Sequence, residues 1–336
     1  MKKFRIGIWD HCRYVVNREK PYDEMARHLE RMRNAGVTLT NIYLPEVPSL
    51  SDYCRAAANC GMQLEARITP EWAGKDVVKR TLPEELWKDM EAKHGIRLSG
   101  PCGNHPGNRK AFVEGLQLLC DEYKTQIHAI HLDFIRNDNA LLLQDYPCQC
   151  TECRKLYQRF FGVEVLTAEM LKKPAIAYKL VALRNENVTQ TVQELSQVTH
   201  QCGLALSIAA RANYIDSADI TEPPVWGLGP AVLEGQDWVQ WLDKGYIDAV
   251  YPMNYHTEVE MFKSLVSDYL RLLGDKACTA LHIGVGVMSS MGVNPPEAVM
   301  ERLQILKDAK LPGAMLFNKI NTYTDDYCAV IKSIAE

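Results

Sequence analysis

The chain has 336 residues, with 38 Lys+Arg against 42 Asp+Glu (net charge −4) and 47% hydrophobic residues. That balance excludes a disordered chain and offers no basic footprint for nucleic acid or for an anionic membrane surface. No apolar run approaches the ~20 residues that span a bilayer, and MKKFRIGIWD lacks the apolar stretch of a secretory signal, so a cytoplasmic location is expected.

Short apolar runs alternate with amphipathic stretches along the chain. The runs that read as strands are Phe4–Trp9, Leu39–Pro45, Met62–Thr69, Ile127–Phe134, Leu204–Arg211, Ile247–Tyr255, Ala280–Val287 and Ala314–Asn321. Helical periodicity lies between them, at Asp23–Ala35, Asn108–Tyr123, Val181–His200, Glu258–Leu273 and Pro296–Asp308. Eight strand-then-helix units predict a parallel sheet closed into a single (β/α)8 TIM barrel spanning residues 1–336. An open doubly wound sheet is the alternative, disfavoured because no G-x-G-x-x-G follows a strand. Extra length falls in two insertions, 71–107 and 136–175, both after strand ends, where barrel enzymes carry their sites.

Alternation within the strands selects candidate site residues. In the third strand Leu64, Ala66 and Ile68 form the apolar set, so Glu65, Arg67 and Thr69 share the inward face, with Glu71 just beyond. In the fourth strand His131 and Asp133 share one face. Arg211 ends the fifth strand, Tyr251, Asn254, Tyr255 and His256 line the sixth, His282 opens the seventh and Lys319 ends the eighth. Ionisable groups inside a barrel are costly unless they are paired or functional. One reading of Glu65, Arg67 and Asp133 is therefore a structural ion-pair layer.

The other reading is glycoside cleavage by two carboxylates facing one cavity. Asp133 is the first carboxylate. Glu46, Glu65 and Glu71 compete to be the second, with Asp10 and Asp138 less well placed. Trp9, Trp72, Trp226, Tyr251 and Tyr255 offer flat faces for sugar rings. Glu46, Arg67, His131, Arg136, Arg211, Asn254, Tyr255, His256, His282 and Lys319 are candidate contacts to sugar hydroxyls or acidic groups. A non-hydrolytic sugar-binding barrel and a metal-dependent enzyme using Glu65, His131, Asp133 and His282 are the competing functions.

The 11 cysteines are odd in number, which argues against a disulfide framework. Cys148, Cys150 and Cys153 form C-x-C-x-x-C in the second insertion, a thiolate spacing suited to structural zinc. The fourth ligand is Cys102 or His105, from the first insertion. Cys12, Cys54, Cys60, Cys120, Cys202, Cys278 and Cys328 read as reduced core thiols.

The runs IHAIHLDFIR (Ile127–Arg136) and CQCTECRKLYQRF (Cys148–Phe160) resemble the glycosidase barrels grouped as glycoside-hydrolase-like family 10 and their relatives. QDWVQWLDKGYIDAVYPMNY (Gln236–Tyr255) and GAMLFN (Gly313–Asn318) are similar to later strands of that family. The segment PCGNHPGNRKAF with its C-x-C-x-x-C is similar to the zinc cluster of family 42 β-galactosidases. The resemblance implies a carbohydrate-active barrel with Asp133 at the family's acidic position, Arg136 beside it, and zinc on Cys102, Cys148, Cys150 and Cys153. The chain departs from these families in three places. His128-Ala129 replaces Asp-Gly, Asn137-Asp138 replaces Tyr-Pro, and the family 42 Asn-Glu acid has no counterpart. The expected partner is a carbohydrate substrate, with neither nucleic acid nor membrane, and a homo-oligomer is left open.

Overall fold

A computed structural model describes residues 3–10, 22–43, 50–73, 76–137, 140–213, 231–318 and 324–336. The strands are β1 (Arg5–Asp10), β2 (Leu39–Tyr43), β3 (Gln63–Ile68), β4 (Ala129–Leu132), β5 (Ala205–Ala210), β6 (Ala249–Pro252), β7 (His282–Ser289), β8 (Gly292–Val293) and β9 (Gly313–Asn318). Their order is β6-β5-β4-β3-β2-β1-β9-β7-β8, with every pairing parallel except the β7–β8 hairpin. A parallel bridge between Val250 and Leu281 joins β6 to β7 and closes the ring. The eight expected strands are thus present and curl into a barrel, and β8 is an addition that the sequence pattern did not signal.

The strands are buried on both sides, as an all-parallel ring requires. Ile6, Ile8, Ile42, Leu64, Ala66, Ile130, Leu132, Ile208 and Val285 pack outward against the helices in one large core. Helix Tyr22–Asn34 shows how the sequence builds that shell. Met25, Leu29 and Met32 recur at helical spacing and are buried, while Asp23 and Glu24 open the helix and Arg31 and Arg33 close it, matching its dipole. The chain then turns at Gly36, whose φ of +98° and packing against Ala335 exclude a side chain.

Inside the ring a smaller apolar group of Trp9, Leu39, Ala209, Tyr251 and Met315 fills the barrel beside polar residues. The Trp9 indole needs the bare backbone of Gly284, where a Cβ would come within 2.8 Å of its ring. Both insertions carry structure of their own, helix Glu84–His94 in the first and helix Thr151–Phe161 in the second. They make satellite cores around Trp87, Met90 and Tyr146, and around the four clustered cysteines with Tyr157 and Leu180. Among the described residues no helix is long and apolar enough to cross a membrane.

Candidate active site at the barrel mouth

The inward set of β3 and β4 is the one that strand alternation predicts: Glu65, Arg67 and Thr69 beside His131 and Asp133 are all buried. Their heights differ. Glu65 pairs laterally with Ala129, four residues before Asp133, which offsets the two backbone positions by about 13 Å along the strand direction at ~3.3 Å per residue. Glu65 is also fully engaged. It accepts hydrogen bonds from Asn41 Nδ2 (2.9 Å), Tyr251 OH (2.6 Å) and Ser207 Oγ (3.1 Å), and burial still pushes its pKa up. These bonds commit Glu65 to the interior layer of the barrel, one His131 ring below the Asp133 strand end.

His131 belongs to the same interior layer. Its Nε2 accepts from the Trp9 indole N–H (3.0 Å), which leaves the proton on Nδ1, 2.8 Å from Ser207 Oγ. It stacks on Tyr251, and burial lowers its pKa to about 3, so the ring stays neutral. With both nitrogens committed, His131 is a positioning element for Glu65 and Trp9. His282 lies at the start of β7, level with Gly313, against the inner side of Tyr251, and burial lowers its pKa to about 3 as well. Glu65, His131, Asp133 and His282 do not converge. Among the described residues the grouping of three or more potential metal ligands is the cysteine cluster, so the metal-enzyme alternative loses its ligand set.

Asp133 stands at the C-terminal end of β4. Its Oδ2 meets Arg67 Nε at 2.9 Å, its Oδ1 accepts the Phe134 backbone N–H at 2.7 Å, and Arg136 Nη1 lies 3.7 Å from Oδ1. Burial alone would raise its pKa, but the Arg67 and Arg136 guanidiniums outweigh it and hold the carboxyl below its usual range. Phe134 takes φ +56°, a left-handed conformation that an aromatic residue adopts at a cost of about 1–2 kcal/mol. That turn aims the N–H at Asp133 and lays the Phe134 ring against Arg136, 4.5 Å from the guanidinium carbon.

A second buried acid escaped the sequence reading. Glu234 is gripped by Arg211 through Nε at 2.5 Å and Nη2 at 3.2 Å, and Arg136 Nε lies 3.6 Å from it. Arg136 thus bridges two carboxylates, and the mouth carries the chain Arg67, Asp133, Arg136, Glu234, Arg211. Glu71, exposed, sits in the 3-10 turn Pro70–Ala73 and accepts from Thr69 Oγ1 at 3.4 Å. Thr69 continues β3 alongside Asp133, whose N–H bonds the carbonyl of Ile68 at 2.9 Å. Glu71 is therefore one hydrogen bond and one interstrand spacing, about 4.8 Å, from the Asp133 strand end.

Aromatic rings cluster where β1, β6 and β9 end. Tyr255 stacks on Phe317 (4.7 Å), and both meet Trp9 edge-on. Other expected contacts are engaged elsewhere. Asn254 is fully buried and donates to the Phe262 carbonyl at 3.2 Å, tying the end of β6 to helix Val259–Leu273. The carbonyl of His256 is held by Arg302. Asp10 packs outward, bound by Tyr53 (2.6 Å) and His28 (3.0 Å). Glu46, Asp138, Trp226, Lys319 and Cys12, and the Trp72 side chain, lie outside the described residues.

The cysteine expectation converges on one point. The sulfurs of Cys102, Cys148, Cys150 and Cys153 are buried and all lie within 4.8 Å of one another. Cys102 is 3.5 Å from Cys153 and 3.7 Å from Cys150. A tetrahedron with Zn–S bonds of ~2.3 Å has edges of about 3.8 Å, so the four donors fit a zinc-sized ion. Backbone N–H groups of Thr81 and Cys150 point at Cys148 Sγ (3.4 Å each), as thiolate ligands favour. Cys102, not His105, completes the set. Of the other thiols, Cys54 and Cys120 are buried, but Cys278 is exposed and Cys60, Cys202 and Cys328 are only half-buried.

No family model matches the chain, and no curated protein matches it. Its backbone does match solved structures. The catalytic domain of β-amylase from Paenibacillus polymyxa aligns over 100% of this chain and 99% of its own, with a TM-score of 0.57 at 11% identity. An endo-1,4-β-D-mannanase from Thermotoga petrophila aligns over 100% and 99%, with a TM-score of 0.58 at 11% identity. The endo-1,4-β-mannanase of Rhizomucor miehei aligns over 99% and 94%, with a TM-score of 0.58 at 9% identity. The likeness is one of fold.

Proposed function

We propose that the protein is a glycoside hydrolase of the barrel class, acting at the strand-end site around Asp133. The observation that carries this reading is Asp133 itself, a buried carboxylate at the mouth end of β4, kept ionised between Arg67 and Arg136. An ionised acid in this position suits a nucleophile or an electrostatic partner for a developing oxocarbenium ion, whereas proton donation needs a raised pKa. Glu71, exposed above Thr69, is the second carboxylate in this scheme. A separation of ~5 Å between the two would give retention, and ~6.5–9.5 Å inversion. Tyr255 and Phe317, half-buried, would stack the sugar ring, while Arg67 and Arg136 orient Asp133.

The resemblance to glycoside-hydrolase-like family 10 supports the same assignment, and the barrel neighbours that cleave glycans agree with it. In this reading the four cysteines hold a structural zinc that ties the two insertions together, since a four-thiolate shell leaves no open position for chemistry. A screen of aryl glycosides and oligosaccharides tests the proposal. Release of reducing sugar by the wild type, lost in Asp133→Asn, is expected; turnover that survives in the variant defeats it.

A further inference from the structure

Beside the Asp133 site a cleft runs between the barrel mouth and the cysteine-bearing insertions. Pro70, Arg80, Pro101, Arg109, Ile135 and Arg136 are among its walls, and its volume of about 80 Å3 is enough for several water-sized groups. Three of these walls are arginines and, among the described residues, none is an aspartate or glutamate, while Cys102 of the thiolate cluster lines the cleft as well. Arg109 is balanced by Glu194 at 3.1 Å, but no described acid pairs with Arg80. At the mouth itself Arg67, Arg136 and Arg211 face Asp133 and Glu234, so the local charge is already positive before Arg80 is added.

The backbone holds Arg80 in this place. Its N–H bonds Gly100 O at 3.0 Å next to the Lys79–Pro101 bridge, and Thr81 on its other side bonds Cys148 Sγ and accepts the Gln149 N–H at 2.7 Å. The thiolate clip and the β-bridge thus staple the residues flanking the Arg80 guanidinium to the rim of the cleft. A positive cleft opening from a glycoside site is matched by a substituent that is small, planar or tetrahedral, and negative. We infer that the cleft between Arg80 and Arg136 is a subsite for an anionic substituent of the substrate, a carboxylate as in a uronic acid or a sulfate ester.

This inference rests on the glycosidase reading for the word substrate, but it is tested by binding. Titration calorimetry of the metal-replete protein with glucuronate, galacturonate, glucose 6-sulfate and the parent neutral sugars should show anionic sugars binding at least about tenfold tighter. Arg80→Ala should collapse that ratio, and Arg80→Lys should restore part of it. Thr191→Glu, which places a carboxylate on the cleft wall, should collapse the ratio without touching Arg80. The uronate and sulfate arms tell which substituent fits. Equal affinity for neutral and anionic sugars, or a preference that survives both Arg80→Ala and Thr191→Glu, overturns the inference. Anion preference through Arg80 in a protein that cleaves no glycoside would sink the hydrolase reading alone.

Discussion

Asp133 is buried with its charge intact because Arg67 and Arg136 repay the lost hydration, and this makes its role separable from its contribution to stability. Its pKa is depressed in the folded state, so it adds stability that is present above the unfolded value near 3.9 and is lost as pH falls through the folded value. His131 and His282 act over a higher window. Both are held neutral, with pKa values of about 3, so the unfolded chain takes up protons below ~6.5 that the folded chain refuses. Stability should therefore fall from about pH 6.5 toward 3, and His282→Asn should flatten that slope in urea titrations at fixed pH values; an unchanged slope contradicts the assignment. Asp133→Asn should lower stability by about 3–5 kcal/mol, since it removes the buried charge that Arg67 and Arg136 share and leaves Arg136 to Glu234. The inward face of Glu65, Arg67, Thr69, His131 and Asp133 was legible because strand alternation has a strict period of two. The depth of Glu65 was not, because register between neighbouring strands decides it. Glu234 lies in a turn with no periodicity to mark it, and a bulky Phe134 gives no sign of a positive φ.

Among the elements, the cysteine clip was the most legible, since C-x-C-x-x-C brings three thiols together by local geometry alone. The choice of Cys102 over His105 needed the folded insertions, which set the fourth donor by tertiary packing. Elemental analysis should find about one zinc per chain in the wild type and in Asp133→Asn, and none in Cys150→Ser. A Cys150→Ser protein that keeps its zinc contradicts the four-thiolate site. In the barrel wall, Gly284→Ala would drive a methyl group into the Trp9 ring, and a loss of about 1–3 kcal/mol in chemical denaturation is expected. Strand positions were readable from apolar runs, whereas strand ends were not. β4 stops at Leu132: Asp133 makes a last bond to Ile68, and the positive φ of Phe134 then turns the chain out of the ladder.

At the scale of the whole molecule, closure at Val250–Leu281 turns eight short parallel strands into a ring whose mouth collects Asp133, Glu71, Glu234 and three arginines from distant parts of the chain. One continuous outer core links that ring to its helices, and the insertions dock on it through smaller cores. The metal-replete chain should therefore unfold as one unit, with far- and near-ultraviolet dichroism losing signal together; two resolved transitions would mean a separate second domain. A glycosidase of this geometry requires Asp133 as its working carboxylate. The most direct measurement is kcat/KM of Asp133→Asn against the wild type on the best aryl glycoside, with the folded fraction of each matched. A loss of about a thousandfold is predicted, and a variant within tenfold of the wild type would contradict it.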